Sequence, residues 1–281
     1  MRTAVIGGTG SLGRLVVDQL VRRGDEVRVL SRTPPALPVA GAEHHPVDLR
    51  TGSGLDAALD GVEVVVDAAN GQQDPGELLV GGTGRTLEAG AAAGVAHHVL
   101  ISIVGCDVVP LAYYRAKAEQ ERLVAAASVP STVLRATQFH PLLAGLFERA
   151  ARLGVRPRAA VPLQLLDPAV AAVHLADAAH AGPAGRLPDL AGPRRQSVAE
   201  LADTWSRATG RGRIPVRVPL PGQTGRAVRS GALCAATVGD EGPDFRAWLA
   251  RGRSTAQGPG VGAPGPGVEA PGPGVDGGGR T

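Results

Sequence analysis

Cysteine is scarce in this 281-residue chain and occurs only at Cys106 and Cys234. Two thiols so far apart give no metal-ligand spacing and are too few for a disulfide framework. Long hydrophobic runs are also missing: the run 62–69 contains Glu63 and Asp67 and is too short to cross a bilayer. No apolar leader with a cleavage site precedes the first apolar strand. These absences predict a soluble, cytoplasmic protein with reduced thiols, no membrane segment and no bound metal.

Aromatic side chains make up only 2% of the residues. The chain therefore lacks the stacking platforms with which proteins bind single-stranded nucleic acid. Its 29 basic residues are nearly balanced by 26 acidic ones, which gives a formal net charge of +3 with both signs interspersed. This pattern argues against a nucleic-acid partner and for a small-molecule substrate.

Lysine is almost absent, because every basic residue except Lys117 is arginine. A bias this strong should have replaced a lysine that serves only as a solvated charge, since arginine serves equally well there. Both tyrosines, Tyr113 and Tyr114, lie within four residues of Lys117. This five-residue window is therefore a candidate functional site.

Short β-branched apolar runs alternate with helical patterns over the first 135 residues. The predicted strands are 3–6, 26–30, 63–67, 98–103 and 132–134. The predicted helices are 11–23, 77–93 and 111–127. Strands separated by helices indicate a parallel sheet covered on both faces, which is a Rossmann-type, doubly wound α/β fold.

The alternation weakens after residue 135. Helical patterns at 141–153, 170–181, 224–236 and 243–250 accompany extended stretches at 159–166 and 214–220, and Ser197 and Glu200 form a capping box that begins a helix to about residue 209. We expect one domain over 1–253, with a cofactor half at 1–135 and a small C-terminal substrate-side lobe at 136–253. Residues 254–281 repeat Gly, Pro and Val and predict a disordered tail.

Glycines at 7, 10 and 13 stand between the first strand and the first helix. In a dinucleotide-binding turn, the first allows the sharp bend, the second lets the backbone approach the pyrophosphate, and the third permits close helix packing. The free N–H groups of the helix then face the anion. The predicted cofactor residues of this turn are Gly7, Thr9, Gly10, Ser11, Leu12 and Gly13.

A second glycine cluster, 81–86, carries a similar pattern but follows no strand directly. It lies within a predicted helix, so we expect it to serve helix packing rather than phosphate binding.

The residues after the second strand read Ser31-Arg32-Thr33, where an NAD-specific domain usually carries an acid for the ribose 2′-hydroxyl. A guanidinium at this point can pair with a 2′-phosphate, which an acid would repel. Arg32 therefore favours NADP(H) over NAD(H), against the alternative of an ordinary surface charge.

Tyr113 and Lys117 are four residues apart on a predicted helix and therefore share one face. An ammonium beside a phenol brings the pKa of the phenol from about 10 toward neutrality and suits it to proton exchange with a carbonyl oxygen. Ser102 ends the preceding strand and could bind the same oxygen. The alternatives are that Tyr113 only packs while Lys117 reaches solvent, or that Tyr114 faces the cofactor instead.

These features resemble the atypical short-chain dehydrogenase/reductases, particularly the NmrA-like NAD(P)-binding branch, over about residues 1–249. The motifs that carry the resemblance are Gly-Gly-Thr-Gly-Ser-Leu-Gly at 7–13, Ser-Arg at 31–32, Asp-Leu at 48–49, Ile-Ser-Ile-Val-Gly at 101–105, Tyr-Tyr-Arg-Ala-Lys at 113–117 and Leu-Arg-Ala-Thr-Gln-Phe-His at 134–140.

The resemblance implies further site residues. Asp48 and Leu49 would lie near the adenine, Ala68 and Ala69 would border the cofactor, and Phe139 and His140 would face the nicotinamide or the substrate. For His140, a helix-start position without chemistry is an equal alternative.

Ser102, Tyr113 and Lys117 beside a nucleotide fold predict an NADPH-dependent oxidoreductase acting on a small carbonyl, quinone or related electrophile. The principal alternative is a non-catalytic NADP(H)-binding redox sensor that signals to a protein partner, because fold alone does not distinguish the two. A nucleotide-sugar epimerase or dehydratase uses the same three residue types, but the small C-terminal lobe disfavours it.

Overall fold

The computed structural model describes residues 1–35, 37–71, 74–239 and 241–255. Of the tail predicted at 254–281, residues 256–281 lie outside the described part of the chain. No helix in the described ranges combines the length and the apolar character needed to cross a membrane.

Seven parallel strands form the main sheet in the order β3-β2-β1-β4-β5-β6-β9. Their bounds are β1 Arg2–Ile6, β2 Glu26–Ser31, β3 Ala42–Pro46, β4 Val64–Asp67, β5 His97–Ile103, β6 Ser131–Ala136 and β9 Gly185–Arg186. Ile6 of β1 is in register with Leu30 on one side and Asp67 on the other, so the carboxyl ends of the central strands meet at one edge. The strand order reverses beside β1, where such sheets bind ligands.

Helices cover both faces of this sheet. Their bounds are α1 Ser11–Arg22, α2 Leu55–Leu59, α3 Gly82–Ala93, α4 Ala112–Ala126, α5 His140–Arg152, α6 Pro168–Ala181, α7 Val198–Thr209, α8 Gly222–Arg229 and α9 Phe245–Thr255. Val5 packs into a core with α1 and α6, whereas its neighbours Ala4 and Ile6 pack into a second core with α2, α3 and α4. The predicted doubly wound α/β fold is confirmed.

Strand β3 and the short helix α2 were not predicted from the sequence, and the predicted helix 77–93 has a different start. Strand β3 reads Ala-Glu-His-His-Pro and lies at the edge of the sheet, so it carries no apolar alternation. The predicted helix 77–93 is a π-helical segment, Gly76–Gly81, that continues into α3.

A third apolar core is formed by the C-terminal elements, with Phe147 of α5, Trp205 of α7 and Phe245 of α9 at its centre. The predicted capping box is present, because Ser197 Oγ accepts from the Glu200 backbone N–H at 3.2 Å and Glu200 Oε2 accepts from the Ser197 N–H at 2.7 Å. Short strands β7 Val155–Arg158 and β11 Ile214–Arg217 pair in parallel, while β8 Pro162–Leu163 and β10 Gln196–Ser197 pair antiparallel.

The C-terminal lobe differs from the predicted 136–253 segment in one respect. Helix α6 packs on α1 in the Rossmann core, and β9 pairs with β6 in the main sheet. Both belong to the nucleotide-binding half because the seventh strand and the covering helix complete that sheet.

Candidate functional site

The glycine turn has the backbone geometry that its sequence predicts. Gly7 has a φ of +69°, which favours glycine, and its N–H donates to the Leu30 carbonyl at 3.0 Å. A Cβ at Gly13 would lie 2.1 Å from the Gly7 carbonyl oxygen, so no other residue fits there without moving the turn. The glycine turn therefore packs directly against the start of α1, with no space for a side chain at Gly13.

The N-terminus of α1 presents backbone donors without a side-chain cap. Its N-cap residue is Gly10, which supplies no side-chain acceptor, and the first turn of the helix contains no acid. The first N–H groups of a helix have no partner within the helix, and its dipole places partial positive charge there. An anion is therefore the natural ligand for this end of α1.

A first cavity, of about 550 Å³, extends from this turn along the ends of β1 and β2. Arg32 and Asp48 line it, and within the described residues the exposed guanidinium of Arg32 makes no ion pair. The Asp48 carboxylate accepts the Arg50 backbone N–H at 2.9 Å, while Leu49 packs its side chain toward Gly82. Arg32, Asp48 and Leu49 thus line one cavity.

A second cavity, of about 470 Å³, lies on the other side of the turn. It shares Gly7, Ala69 and Asn70 with the first cavity, so the two form one cleft along the carboxyl edge of the sheet. Its remaining lining includes most of the other predicted site residues: Gly10, Ser11, Leu12, Ala68, Ser102, Tyr113, Tyr114, Lys117 and Phe139.

Tyr113 stands where the two cavities meet. Its hydroxyl donates to Asn70 Oδ1 at 2.8 Å, and burial, with a smaller contribution from Tyr114, raises the pKa of Tyr113 to about 12. The predicted lowering of this pKa by Lys117 is therefore wrong in this arrangement, because burial dominates. Tyr113 is a protonated phenol at neutral pH.

Tyr114 has a different environment, although it lines the second cavity too. It packs against the third core and hydrogen-bonds with Gln138, and burial raises its pKa. Both tyrosines thus reach the cavity, but only Tyr113 contacts a residue shared by the two cavities.

Lys117 is buried rather than solvated. Its side chain is 2% exposed, and Nζ donates to the Ile101 carbonyl at 3.1 Å and to Gln120 Oε1 at 2.8 Å. Burial lowers the pKa of Lys117, and the charge of Asp67 opposes that shift. The alternative of a lysine reaching out to solvent is excluded.

The Ser102 hydroxyl is fully buried at the end of β5, with protein acceptors for its single O–H. It donates to Cys106 Sγ at 4.0 Å, and Cys106 Sγ in turn donates to the Glu121 carboxylate at 3.4 Å. The same carboxylate accepts two hydrogen bonds of 2.7 Å from Arg135. Ser102 lines the cavity, and its hydroxyl proton is donated to Cys106 Sγ.

His140 does not line either of these cavities. Its Nε2 lies 3.0 Å from the Pro243 carbonyl, and its ring packs against Phe245 and Trp248 at centroid distances of 5.7 and 5.4 Å. The expectation that His140 faces nicotinamide or substrate is corrected, because α5 turns this first residue toward α9. Phe139, one position earlier, does line the second cavity.

The second glycine cluster serves packing, as predicted. A Cβ at Gly82 would lie 3.0 Å from the Leu49 Cβ, so the glycine lets α3 approach the loop after β3.

Asn70 and Gln138 are cavity residues that the sequence analysis missed. Asn70 had a signal, since a polar residue directly after the β4 end stands at the ligand-binding edge of the sheet. Gln138 had none, because its proximity to Tyr114 depends on the path of the chain after β6.

A parallel sheet with this strand order, a glycine turn and an uncapped helix N-terminus at its switch point define a Rossmann-type nucleotide-binding protein. Residues 7–142, just under half of the chain, match the family model described as NAD(P)H-binding. The predicted relationship to NAD(P)-binding short-chain dehydrogenase/reductases is confirmed at this level.

Similar proteins include quinone oxidoreductase 2 of Escherichia coli, which is 26% identical over 220 residues that cover 74% of each chain. The structure of an Escherichia coli NADPH-dependent quinone oxidoreductase in complex with NADPH aligns with a TM-score of 0.75 at 20% identity, covering 89% of this chain and 99% of that one. A chloroplastic protein of Arabidopsis thaliana, named for a high-chlorophyll-fluorescence phenotype, is 33% identical over 112 residues, 38% of this chain. The chain spans only 28% of that protein and 12% of the next curated relatives.

Proposed function

We propose that this protein is an NADPH-dependent oxidoreductase that reduces a small carbonyl, quinone or related electrophile. The observation that carries the proposal is one cleft in which the glycine turn, the protonated Tyr113 phenol and the buried Lys117 ammonium meet. The glycine turn alone would be enough to bind a nucleotide. A proton donor beside it is a group that catalysis of a reduction requires.

The described residues fit a dinucleotide. The α1 N-terminus and the close-packed glycines would hold the pyrophosphate, with Thr9, Ser11 and Leu12 beside it. Asp48 and Leu49 would border the adenine, and Ala68 and Ala69 would flank the path to the second cavity. The exposed Arg32 would pair with a 2′-phosphate, which favours NADPH over NADH.

The protein's own groups have distinct tasks in such a reduction. When bound, the reduced nicotinamide supplies a hydride. Tyr113 Oη holds the proton that the substrate oxygen gains. Without substrate this proton is donated to Asn70 Oδ1 at 2.8 Å, so the hydroxyl would turn from Asn70 to the substrate oxygen for the transfer. Lys117 has two of its three N–H groups bound to Ile101 and Gln120, which leaves one for a ligand in the cavity.

The second cavity suits a small, largely apolar substrate. Tyr114, Phe139, Pro141 and Leu142 form apolar walls around the Tyr113 hydroxyl, in a volume of about 470 Å³. Ser102 lines the same cavity and donates its hydroxyl proton to Cys106 Sγ, so the hydroxyl would have to turn from that sulfur to bind a substrate oxygen. The similarity to quinone oxidoreductases makes quinones the first substrates to test.

The test is to mix purified protein with NADPH and a panel of quinones and aldehydes, and to follow the reduced-nicotinamide absorbance. We expect turnover with at least one acceptor, and we expect Tyr113→Phe to lower kcat with little change in the NADPH dissociation constant. Tyr114→Phe is the matched control, because it removes the same hydroxyl from the neighbouring position.

NADPH binding without any turnover would overturn the enzymatic proposal. It would favour the alternative function, a redox sensor. In that case NADP⁺ and NADPH would bind with different affinities, or a protein partner would co-purify in a nucleotide-dependent manner.

A further inference from the structure

Behind the second cavity lies a group of four buried polar side chains from three elements of the fold: Asp67, Thr83, Lys117 and Gln120. Each is at most 2% exposed. Asp67 ends β4, Thr83 lies in α3, and the other two lie one turn apart in α4. Burying so many polar groups is costly unless each finds partners, so their arrangement requires an explanation.

Hydrogen bonds link the four side chains into one network in which each donor and acceptor is defined. Lys117 Nζ can only donate, so the Gln120 atom 2.8 Å from it must be the amide oxygen. The Gln120 amide nitrogen then donates to Asp67 Oδ2 at 3.2 Å and to Thr83 Oγ1 at 2.8 Å. The Thr83 hydroxyl in turn donates a hydrogen bond to Asp67 Oδ2 at 3.1 Å. Every bond agrees with the donor and acceptor capacity of its partners.

This hydrogen-bond network ends at the Asp67 carboxylate, whose negative charge is held beside the cavity wall. Asp67 Oδ1 accepts the backbone N–H of Ala69 at 2.9 Å, and Ala69 lines both cavities. The Asp67 carboxylate thus accepts hydrogen bonds from three donors. One of these donors, the Gln120 amide, bridges Asp67 to the Lys117 ammonium. A lysine placed in a low-dielectric interior needs such a compensating charge to remain protonated.

We propose that Asp67, Thr83 and Gln120 are positioning residues for Lys117, with Asp67 as its buried counter-charge and Gln120 as the bridge that holds its ammonium at the cavity wall. The positioning itself is a property of the protein without ligand. Its use in holding NADPH rests on the function proposed above.

Other ionisable groups face this network and must be separated from it. Cys106 in the turn after β5 and Glu121 in α4 also act on Lys117, Glu121 is paired with Arg135, and His98 of β5 interacts with Asp67. The Glu121 charge is already paired, whereas Asp67 has no cation within its hydrogen bonds. Asp67 is therefore the charge whose removal should affect Lys117 most.

The chain's single lysine makes a direct test possible. Protein labelled with ¹³C at the lysine ε-carbon gives one lysine resonance, and its pH titration reports the pKa of Lys117 alone. We expect a midpoint below the ordinary value of 10.5 in the wild type. Asp67→Asn should lower it further, by about one pH unit or more, because it removes the opposite charge without changing shape.

Asp25→Asn is the matched control. Asp25 is also buried, but it pairs with the Met1 amine and His180 instead of this network. We expect this variant to leave the Lys117 midpoint unchanged. A purely structural effect of losing a buried carboxylate would appear in thermal unfolding of both variants but not in the lysine titration.

Gln120→Met provides a second variant in case Asp67→Asn does not fold. It removes the acceptor 2.8 Å from Nζ and should also lower the midpoint. Thr83→Val should shift the lysine resonance, whereas Thr86→Val should not, because Thr86 is equally buried but donates only to the Gly82 carbonyl within its own helix.

An unchanged midpoint in a folded Asp67→Asn or Gln120→Met variant would overturn the proposal. The NADPH dissociation constant, measured on the same variants, tests the proposed function separately. Weakening of about two- to tenfold would place Lys117 at the cofactor. A shifted lysine titration with unchanged NADPH affinity would keep the positioning network and reject the cofactor role of Lys117.

Discussion

The hydroxyl of Tyr113 donates a 2.8 Å hydrogen bond to Oδ1 of Asn70, across the line where the two cavities meet. Asn70 follows β4 and Tyr113 lies in the first turn of α4, so the bond joins the two walls of the cleft. Both residues line the second cavity, so the bond holds the phenol at that cavity. Proton donation at this point is the chemical core of the proposed function.

Removal of the Tyr113 hydroxyl should lower kcat by about 10²- to 10⁴-fold, as expected for loss of a general acid. Since burial raises the pKa of Tyr113 to about 12, its phenol stays protonated throughout the neutral and mildly alkaline range. The rate should therefore show no loss from tyrosine ionisation below about pH 10. Steady-state pH profiles of wild type and Tyr113→Phe check both points. A full loss of activity in Tyr114→Phe with an active Tyr113→Phe would assign the acid to Tyr114.

Alanine at Gly13 should weaken cofactor binding, because its Cβ would lie 2.1 Å from the Gly7 carbonyl oxygen. We expect NADPH affinity at least about tenfold weaker. Gly84→Ala is the matched control in the second glycine cluster, where a Cβ meets nothing within 4 Å. It should bind NADPH normally and be stabilised by about 0.5–1 kcal/mol, since alanine favours a helix. Titration calorimetry and thermal unfolding distinguish the two variants. Equal NADPH binding by Gly13→Ala and wild type would be incompatible with the turn as the phosphate site.

The local signals in the sequence were sufficient to predict the strand–turn–helix unit at Gly7, the capping box at Ser197 and the packing role of Gly82. Each depends on residues close together in the chain, where sterics and hydrogen bonding dictate the outcome. The edge strand β3 was missed because an edge strand needs no apolar alternation.

Long-range contacts explain the remaining differences. The family resemblance implied a pocket position for His140, with a helix-start position as an equal alternative, but its partners Pro243 and Trp248 lie more than 100 positions later, in or just before α9. Asp67 and Gln120 are 53 positions apart, so the network around Lys117 becomes visible only when β4 and α4 are brought together. The pKa of Tyr113 likewise depends on burial, which the tyrosine–lysine spacing does not encode.

Arg32 should determine the choice between NADPH and NADH. We expect the wild type to prefer NADPH and Arg32→Ala to lose about tenfold or more of that preference, because a charge-assisted hydrogen bond to the 2′-phosphate is lost. Arg217→Ala, which removes an exposed arginine from the distant strand β11, controls for the change in net charge. Dissociation constants for both nucleotides are the measurement. Equal affinity of the wild type for NADH and NADPH would refute the assignment of Arg32.

Acid should destabilise the fold through its buried histidines. Burial lowers the pKa values of His97, His98 and His140 below the 6.5 of an unfolded chain. The unfolded state therefore binds more protons below that pH, so the stability is present above about 6.5 and is lost as the pH falls. His140→Phe should reduce the fall in Tm between about pH 7 and pH 5.

His174→Gln is the control for the histidine prediction, because that side chain is partly exposed and pairs with Glu241 at the surface. It should leave the pH dependence of Tm close to that of wild type. A wild-type Tm that is the same at both pH values would contradict the burial of these imidazoles in the neutral form.

Turnover of NADPH in the presence of a quinone, by wild type and Lys117→Met, is the decisive test of the proposed NADPH-dependent reduction. The methionine preserves the length of the buried side chain and removes the ammonium that faces the cavity. We expect oxidation of NADPH by the wild type and loss of this oxidation in the Lys117→Met variant, with quinone reduction matching NADPH consumption. NADPH binding without turnover across the panel, or equal turnover in the Lys117→Met variant, would contradict it.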